Sequence, residues 1–274
     1  MIALLIFSVL VGLIFAHKEV NNTRLKADFA IFLIGDSISM YLYAHIAARL
    51  NCKLMDPNKI IIVEQRHDQP YYCDETIYNA TFRLGYIRHW GVSHTDRDFY
   101  SPWKGINFPA TNSNSSILNI KNAVREFKQR SNSDHKVTYI FLSNLWDSHR
   151  YFEKYSTHDM KTWLLEYKTN YTKVVKEMIR ILHAGKSRSH PAQLVLQTQY
   201  HVSQKNHFPI EKTVSPMNNI TRFIAKIFNL SIFDTEVIMR DVSTNATKYL
   251  ADYVHLDKNH FDLLAKLVLI ENWT

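Results

Sequence analysis

An α/β fold built on a central parallel sheet is the architecture this 274-residue chain predicts, and three features carry it. Apolar runs of strand length alternate with helical periodicities from residue 27 onward. That order gives a parallel sheet with helices on both faces. The strand runs are continuously apolar, as in Ala27–Ile34 (ADFAIFLI) and Val137–Leu142 (VTYIFL), which is how strands buried on both sides read. Neither a repeat nor an interdomain linker breaks the succession, so a single domain over residues 17–274 is expected.

Taken in order, the first apolar run ends at Gly35 and opens a helix over Ser37–Leu50, with Met40, Tyr41, Ala44, Ala47 and Ala48 at helical spacing. Ile60–Val63 reads as a second short strand and Phe82–Trp90 as a third. Ile117, Ile120, Val124 and Phe127 mark an amphipathic helix ahead of the strand Val137–Leu142. Met160 to Leu182 carries the strongest periodicity in the chain, that of a long amphipathic helix. Gln193–Gln197 follows as a strand, then a helix marked by Met217, Ile220, Ile224 and Ile227. Leu230–Phe233 reads as the last strand and Phe261–Ile270 as a terminal helix.

Composition removes several function classes. With 46% hydrophobic and 21% charged residues the chain is not of disordered type. Its six scattered glycines spell no GxGxxG, no GxxxxGK[ST] loop and no GxSxG elbow. The net charge of +8 fits an anionic partner without naming one, and Lys121, Arg125, Lys128 and Arg130 make one helix basic. Nucleic acid is not an expected partner.

Residues Ile2–Ala16 are almost wholly apolar. The stretch falls short of the roughly twenty residues of a spanning helix, and its Ile14-Phe15-Ala16 ending fits a signal peptide over residues 1–16. An uncleaved membrane anchor and a buried core strand are the alternatives, and membrane contact is expected only with the anchor. N-x-[ST] sequons at Asn21, Asn79, Asn114, Asn170, Asn219, Asn229, Asn245 and Asn272 agree with a secreted or luminal address and are glycosylation candidates. In that oxidising setting Cys52 and Cys73, the two cysteines, read as one disulfide. They form no CxxC pattern, and the pairs His89/His94, His201/His207 and His255/His260 lack ligand spacing. No metal site and no cofactor are expected.

In an open α/β sheet, chemistry gathers outside the carboxyl ends of the strands. Three segments fall there. Gly35-Asp36-Ser37 closes the first strand and puts a serine at a helix N-terminus, where free N–H groups and the helix dipole favour negative charge. An Asp/Ser helix cap would look the same. Asp252-Tyr253-Val254-His255 precedes the terminal helix and offers a base together with a carboxylate to orient it. Leu142-Ser143-Asn144-Leu145-Trp146-Asp147 follows a central strand and brings an amide N–H, at Asn144, to the same edge; a plain turn is the alternative.

Together, "LIGDSISMYLY", "LSNLWDSHRY" and "DYVHLDKNHFDLLAKLV" resemble the SGNH (GDSL-like) hydrolases, most closely their PC-esterase branch, over essentially the whole mature chain. The resemblance implies a three-layer, flavodoxin-like α/β/α sandwich and a metal-free serine esterase or O-acyltransferase. Carried over, Ser37 is the nucleophile and an oxyanion donor, His255 the general base and Asp252 its orienting carboxylate. The family's GxND block is altered: Asn144-Leu145-Trp146-Asp147 stands in its place. Asn144 and, by position, Gly85 are the remaining oxyanion-hole candidates. The implied substrate is a small acyl ester, an acetylated glycan among the options. A catalytically silent binding module on the same fold is the alternative.

Overall fold

The computed structural model describes residues 29–50, 52, 71–77, 80–89, 91–92, 99–101, 106–108, 113–130, 136–142, 147–148, 151–152, 159–184, 192–202, 211–242 and 255–273. Its strands are β1 (Phe29–Gly35), β2 (Tyr71–Ile77), β3 (Ala80–Arg88), β4 (Phe99–Ser101), β5 (Ile106–Phe108), β6 (Lys136–Phe141), β7 (Gln193–Gln197) and β8 (Ser231–Phe233). Its helices are α1 (Ser37–Arg49), α2 (Ser113–Arg130), α3 (Met160–His183), α4 (Glu211–Phe228), α5 (Thr235–Val242) and α6 (Lys258–Trp273).

β1 is buried along its whole length because its side chains feed two separate cores. Phe29, Ile31 and Leu33 join one cluster, while Ala30, Phe32 and Ile34 join the other. This is the period-2 alternation of a strand with a helical layer on each face. One layer is α1 and α6, with Met239 of α5; the other is α2, α3 and α4. The main sheet runs β2-β3-β1-β6-β7-β8. Five of its strands are parallel, and β2 lies antiparallel on the outside of β3. The chain leaves β1 on one side for β3 and later returns on the other for β6, so β1 stands at the topological switch point, where such sheets bind ligands.

The α/β reading of the sequence stands, with local differences. β2 was not foreseen, because Asp74 and Glu75 break its apolar character. β4, β5 and α5 are too short to show a period. α4 begins five residues ahead of Pro216, which lies within it; a proline so near a helix start removes few intrahelical bonds. The strand expected at Ile60–Val63 lies outside the described residues.

Cys52, just past α1, is bonded to Cys73 on β2, which ties the helix that starts at Ser37 to the antiparallel edge of the sheet. Replacing both cysteines by serine is expected to lower unfolding free energy by about 3 kcal/mol, read as a shifted midpoint in urea.

α2, α3 and α4 together hold twelve Lys and Arg against four Asp and Glu. That net +8 equals the charge of the entire chain. The basic excess is therefore a property of one helix layer, the remainder being balanced. The sequon residues Asn114, Asn170 and Asn219 lie on this layer, and Asn229 follows it with a left-handed φ of 53°. Asn272 lies on α6, and Asn21, Asn79 and Asn245 fall outside the described residues. Among the described residues no helix is long and apolar enough to cross a membrane.

Candidate active site

β1 delivers its last residue, Gly35, to the carboxyl edge of the sheet, and α1 starts two residues later. The turn is tight enough to require glycine: a Cβ on Gly35 would stand 2.1 Å from Ser39 Oγ and 3.2 Å from the carbonyl oxygen of Leu142. Asp36 caps α1, its Oδ1 accepting the N–H of Ile38 at 2.8 Å. Tyr86, buried on β3, braces the turn from below; its hydroxyl donates to the carbonyls of Gly35 (3.2 Å) and Asp36 (3.1 Å). Ser37 thereby becomes the first residue of α1, with 9% of its surface exposed. Its N–H has no intrahelical acceptor and lies at the positive end of the helix dipole.

His255 reaches this serine from the far end of the chain. Ser37 Oγ and His255 Nε2 are 2.9 Å apart, across 218 positions of sequence. The imidazole packs on Tyr41 of α1 (4.8 Å between ring centres), which stacks on Phe261 of α6 (5.4 Å). Asp257 fixes the start of α6 by accepting the N–H of His260 at 3.0 Å and its Nδ1 at 2.8 Å. Burial works against ionisation of Asp257, but these hydrogen bonds and the His260 charge outweigh it and hold its pKa below the usual carboxylate value. Ser37 thus opens α1, His255 stands three residues ahead of α6, and these two helices pack on one another.

A further clasp joins the same two helices. The Arg49 guanidinium holds the Asp262 carboxylate in a two-point ion pair, with Nε donating to Oδ1 at 2.7 Å. Beside it His45 is buried, stacked on Phe261 at 5.5 Å. Burial is the main cause of a lowered pKa at His45; Asp262 opposes it, and the Lys258 and Arg49 cations add to it. In the unfolded chain a histidine titrates near 6.5, so there the unfolded state takes up the proton first. Stability is therefore full above that pH and falls as the pH drops through the lowered folded value. His45→Gln is expected to flatten the dependence of Tm on pH between about 7 and 5, followed by circular dichroism melts.

Of the five residues expected at the site, the structure brings Ser37 and His255 together. Asp252 and Asn144 lie outside the described residues. Leu142, two positions before Asn144, donates its N–H to Ile34 O at 2.9 Å and so leaves the sheet beside the elbow. Gly85 is corrected by the structure. It sits inside β3, paired with Phe32, and a Cβ there would stand 2.4 Å from the Phe32 ring and 3.0 Å from that of Phe127. It is glycine so that two aromatic side chains can close over the sheet, away from the carboxyl edge. Gly85→Ala is expected to cost about 1–3 kcal/mol through overpacking while leaving turnover per folded molecule unchanged; denaturant melts and active-site titration separate the two effects.

The glycine that does stand at the edge is Gly91, three residues past β3. The N–H of His89 donates to Gly35 O at 2.7 Å, so this loop leaves the sheet against the elbow itself. Arg88, paired with Gly35 in register, brings a guanidinium to the same edge, with Nη2 3.6 Å from Met40 Sδ. The position of the strand end, rather than the order of glycines in the sequence, is the signal that distinguishes Gly91 from Gly85. Among the described residues no three His, Cys, Asp or Glu side chains gather as a metal site.

No family model matches the chain and no curated protein sequence matches it. Its fold is similar to that of solved structures at low identity. The native aryl esterase of M. smegmatis superposes with a TM-score of 0.52 at 10% identity, over 90% of this chain and 100% of that one. LAE5, an alpha/beta hydrolase enzyme from the metagenome of Lake Arreo, Spain, gives 0.51 at 14%, over 91% and 98%. Axe2, an acetylxylan esterase from Geobacillus stearothermophilus, gives 0.48 at 14%, over 92% and 97%. With the first two of these structures the chain shares an α/β fold; here a parallel five-strand sheet lies between two helical layers, and Ser37 opens the helix that follows its first strand.

Proposed function

We propose that this chain is a serine esterase or O-acyltransferase that works on small acyl esters. The observation that carries the reading is the 2.9 Å contact between Ser37 Oγ, at a helix N-terminus, and His255 Nε2. In this reading His255 takes the proton of Ser37 as Oγ attacks the acyl carbon, then returns it to the leaving alkoxide. The acyl-enzyme is resolved by water or by an acceptor hydroxyl. Asp252, three positions before His255, is the orienting carboxylate. The N–H groups of Ser37 and Gly91 receive the oxyanion, with Asn144 a third donor. An aryl esterase with the same fold supports the reaction class.

The sequons, the disulfide and the apolar residues 1–16 support a secreted or luminal glycoprotein from which that segment is removed. A secretory setting, together with the family resemblance, makes an acetylated glycan the substrate of choice. Labelling by a fluorophosphonate tests the chemistry: modification at Ser37 in the native protein is the expected result, and an unlabelled, folded protein would mean a silent binding module. Release of acetate from acetylated oligosaccharides, compared with aryl acetates, tests the substrate class.

A further inference from the structure

The loop after β3 is gripped by one buried carboxylate. Asp147 is fully buried, and the N–H of Val92 donates to both its oxygens, at 2.9 and 3.1 Å. The carbonyl of Gly91, on the same peptide, accepts from Ser116 Oγ of α2 at 2.9 Å. The Gly91–Val92 peptide is therefore held at both polar ends, by residues from two other parts of the chain. Gly91 adopts a φ of 96°, in the region that favours glycine. A Cβ there would stand 2.5 Å from Asp147 Oδ1 and 2.6 Å from Oδ2. The glycine and the carboxylate thus fit only as a pair.

A buried charge is costly unless it is well hydrogen-bonded, and an apolar side chain would fill the same space more favourably. What the carboxylate adds is direction: it fixes the plane of the Gly91–Val92 peptide, and the φ of 96° at Gly91 relates that plane to the Gly91 N–H. We propose that Asp147 is a positioning residue for acyl transfer, holding the Gly91 N–H as a donor to the oxyanion. The inference rests on the esterase reading of Ser37 and His255. In that step Ser37 Oγ bonds to the acyl carbon and gives its proton to His255 Nε2. The carbonyl π pair moves onto oxygen, and it returns as the alkoxide leaves with that proton. Asp147 exchanges no proton.

A donor that acts on the tetrahedral state alone changes kcat and leaves KM in place. Asp147→Ala is expected to lower kcat for an aryl acetate by about 10²–10³-fold, with KM within about twofold. Asp147→Asn, which keeps one acceptor for Val92, should recover kcat to within about tenfold of the native value. Rates are normalised to the folded fraction by circular dichroism, which removes any purely structural loss. Ser116→Ala releases one end of the peptide and keeps the assay open should Asp147→Ala fail to fold; a smaller fall in kcat is expected. Native kcat in a folded Asp147→Ala protein, or in Ser116→Ala where the former does not fold, would overturn the proposal. So would a loss confined to KM. Failure of native protein to label at Ser37 is a different result, and overturns the esterase reading on which the proposal stands.

Discussion

Ser37→Ala should abolish turnover of an activated acetyl ester, by about 10⁴-fold or more, in a protein that folds as before. The size follows from the geometry. Without Oγ no group at the tip of α1 can form the acyl-enzyme, and what remains is water attack assisted by the residual N–H donors. The stability cost is small, because Ser37 lies at the helix start, where alanine is tolerated, and because its partner His255 is half-exposed and keeps access to water. Initial rates with p-nitrophenyl acetate and a thermal melt measure the two effects. Retained activity in a folded Ser37→Ala protein would remove the nucleophile from the mechanism.

The second large effect is expected at His255. His255→Ala leaves Ser37 Oγ with no base at 2.9 Å, and turnover should fall by about 10⁴-fold, as for the serine. The informative experiment is the double variant. Two residues that act as one unit are grossly non-additive, so Ser37→Ala/His255→Ala should be no slower than either single variant. Multiplicative losses would show that the two side chains serve separate reactions, and that their contact is one of packing. Fluorophosphonate labelling of His255→Ala should fall in step with turnover, since the same proton transfer activates the serine in both.

The parts of the fold legible in the sequence are those whose physics is local. β1 declares itself through uninterrupted apolar residues, because both its faces are buried. α3, at 24 residues, repeats its period often enough to be read directly. Ser37 and His255 were legible because each is fixed to an element that the sequence places at the carboxyl edge, the first by Gly35 and the second by the start of α6. Gly85 is a candidate by position alone, although the strand expected over Phe82–Trp90 already encloses it and leaves Gly91 just past its end. What decides between them is the ring of Phe32, on the neighbouring strand, and that of Phe127, from α2. Asp147 stood in the altered block as a residue without a task. Its hydrogen bonds run to Val92, 55 positions earlier, a separation no spacing rule spans.

The packing of α1 against α6 has a consequence for the order in which the protein is made. Ser37 and His255 are 218 positions apart in sequence. At roughly 5–20 residues per second, synthesis separates the two by about 10–40 s. During that interval β1 can pair with β3 and β6, and α1 can cover their face, but Ser37 has no imidazole to take its proton. The Arg49–Asp262 clasp and the Tyr41–Phe261 stack close among the last contacts. On the esterase reading proposed above, acyl transfer then waits for α6 to pack on α1, so a chain still emerging carries Ser37 without its base.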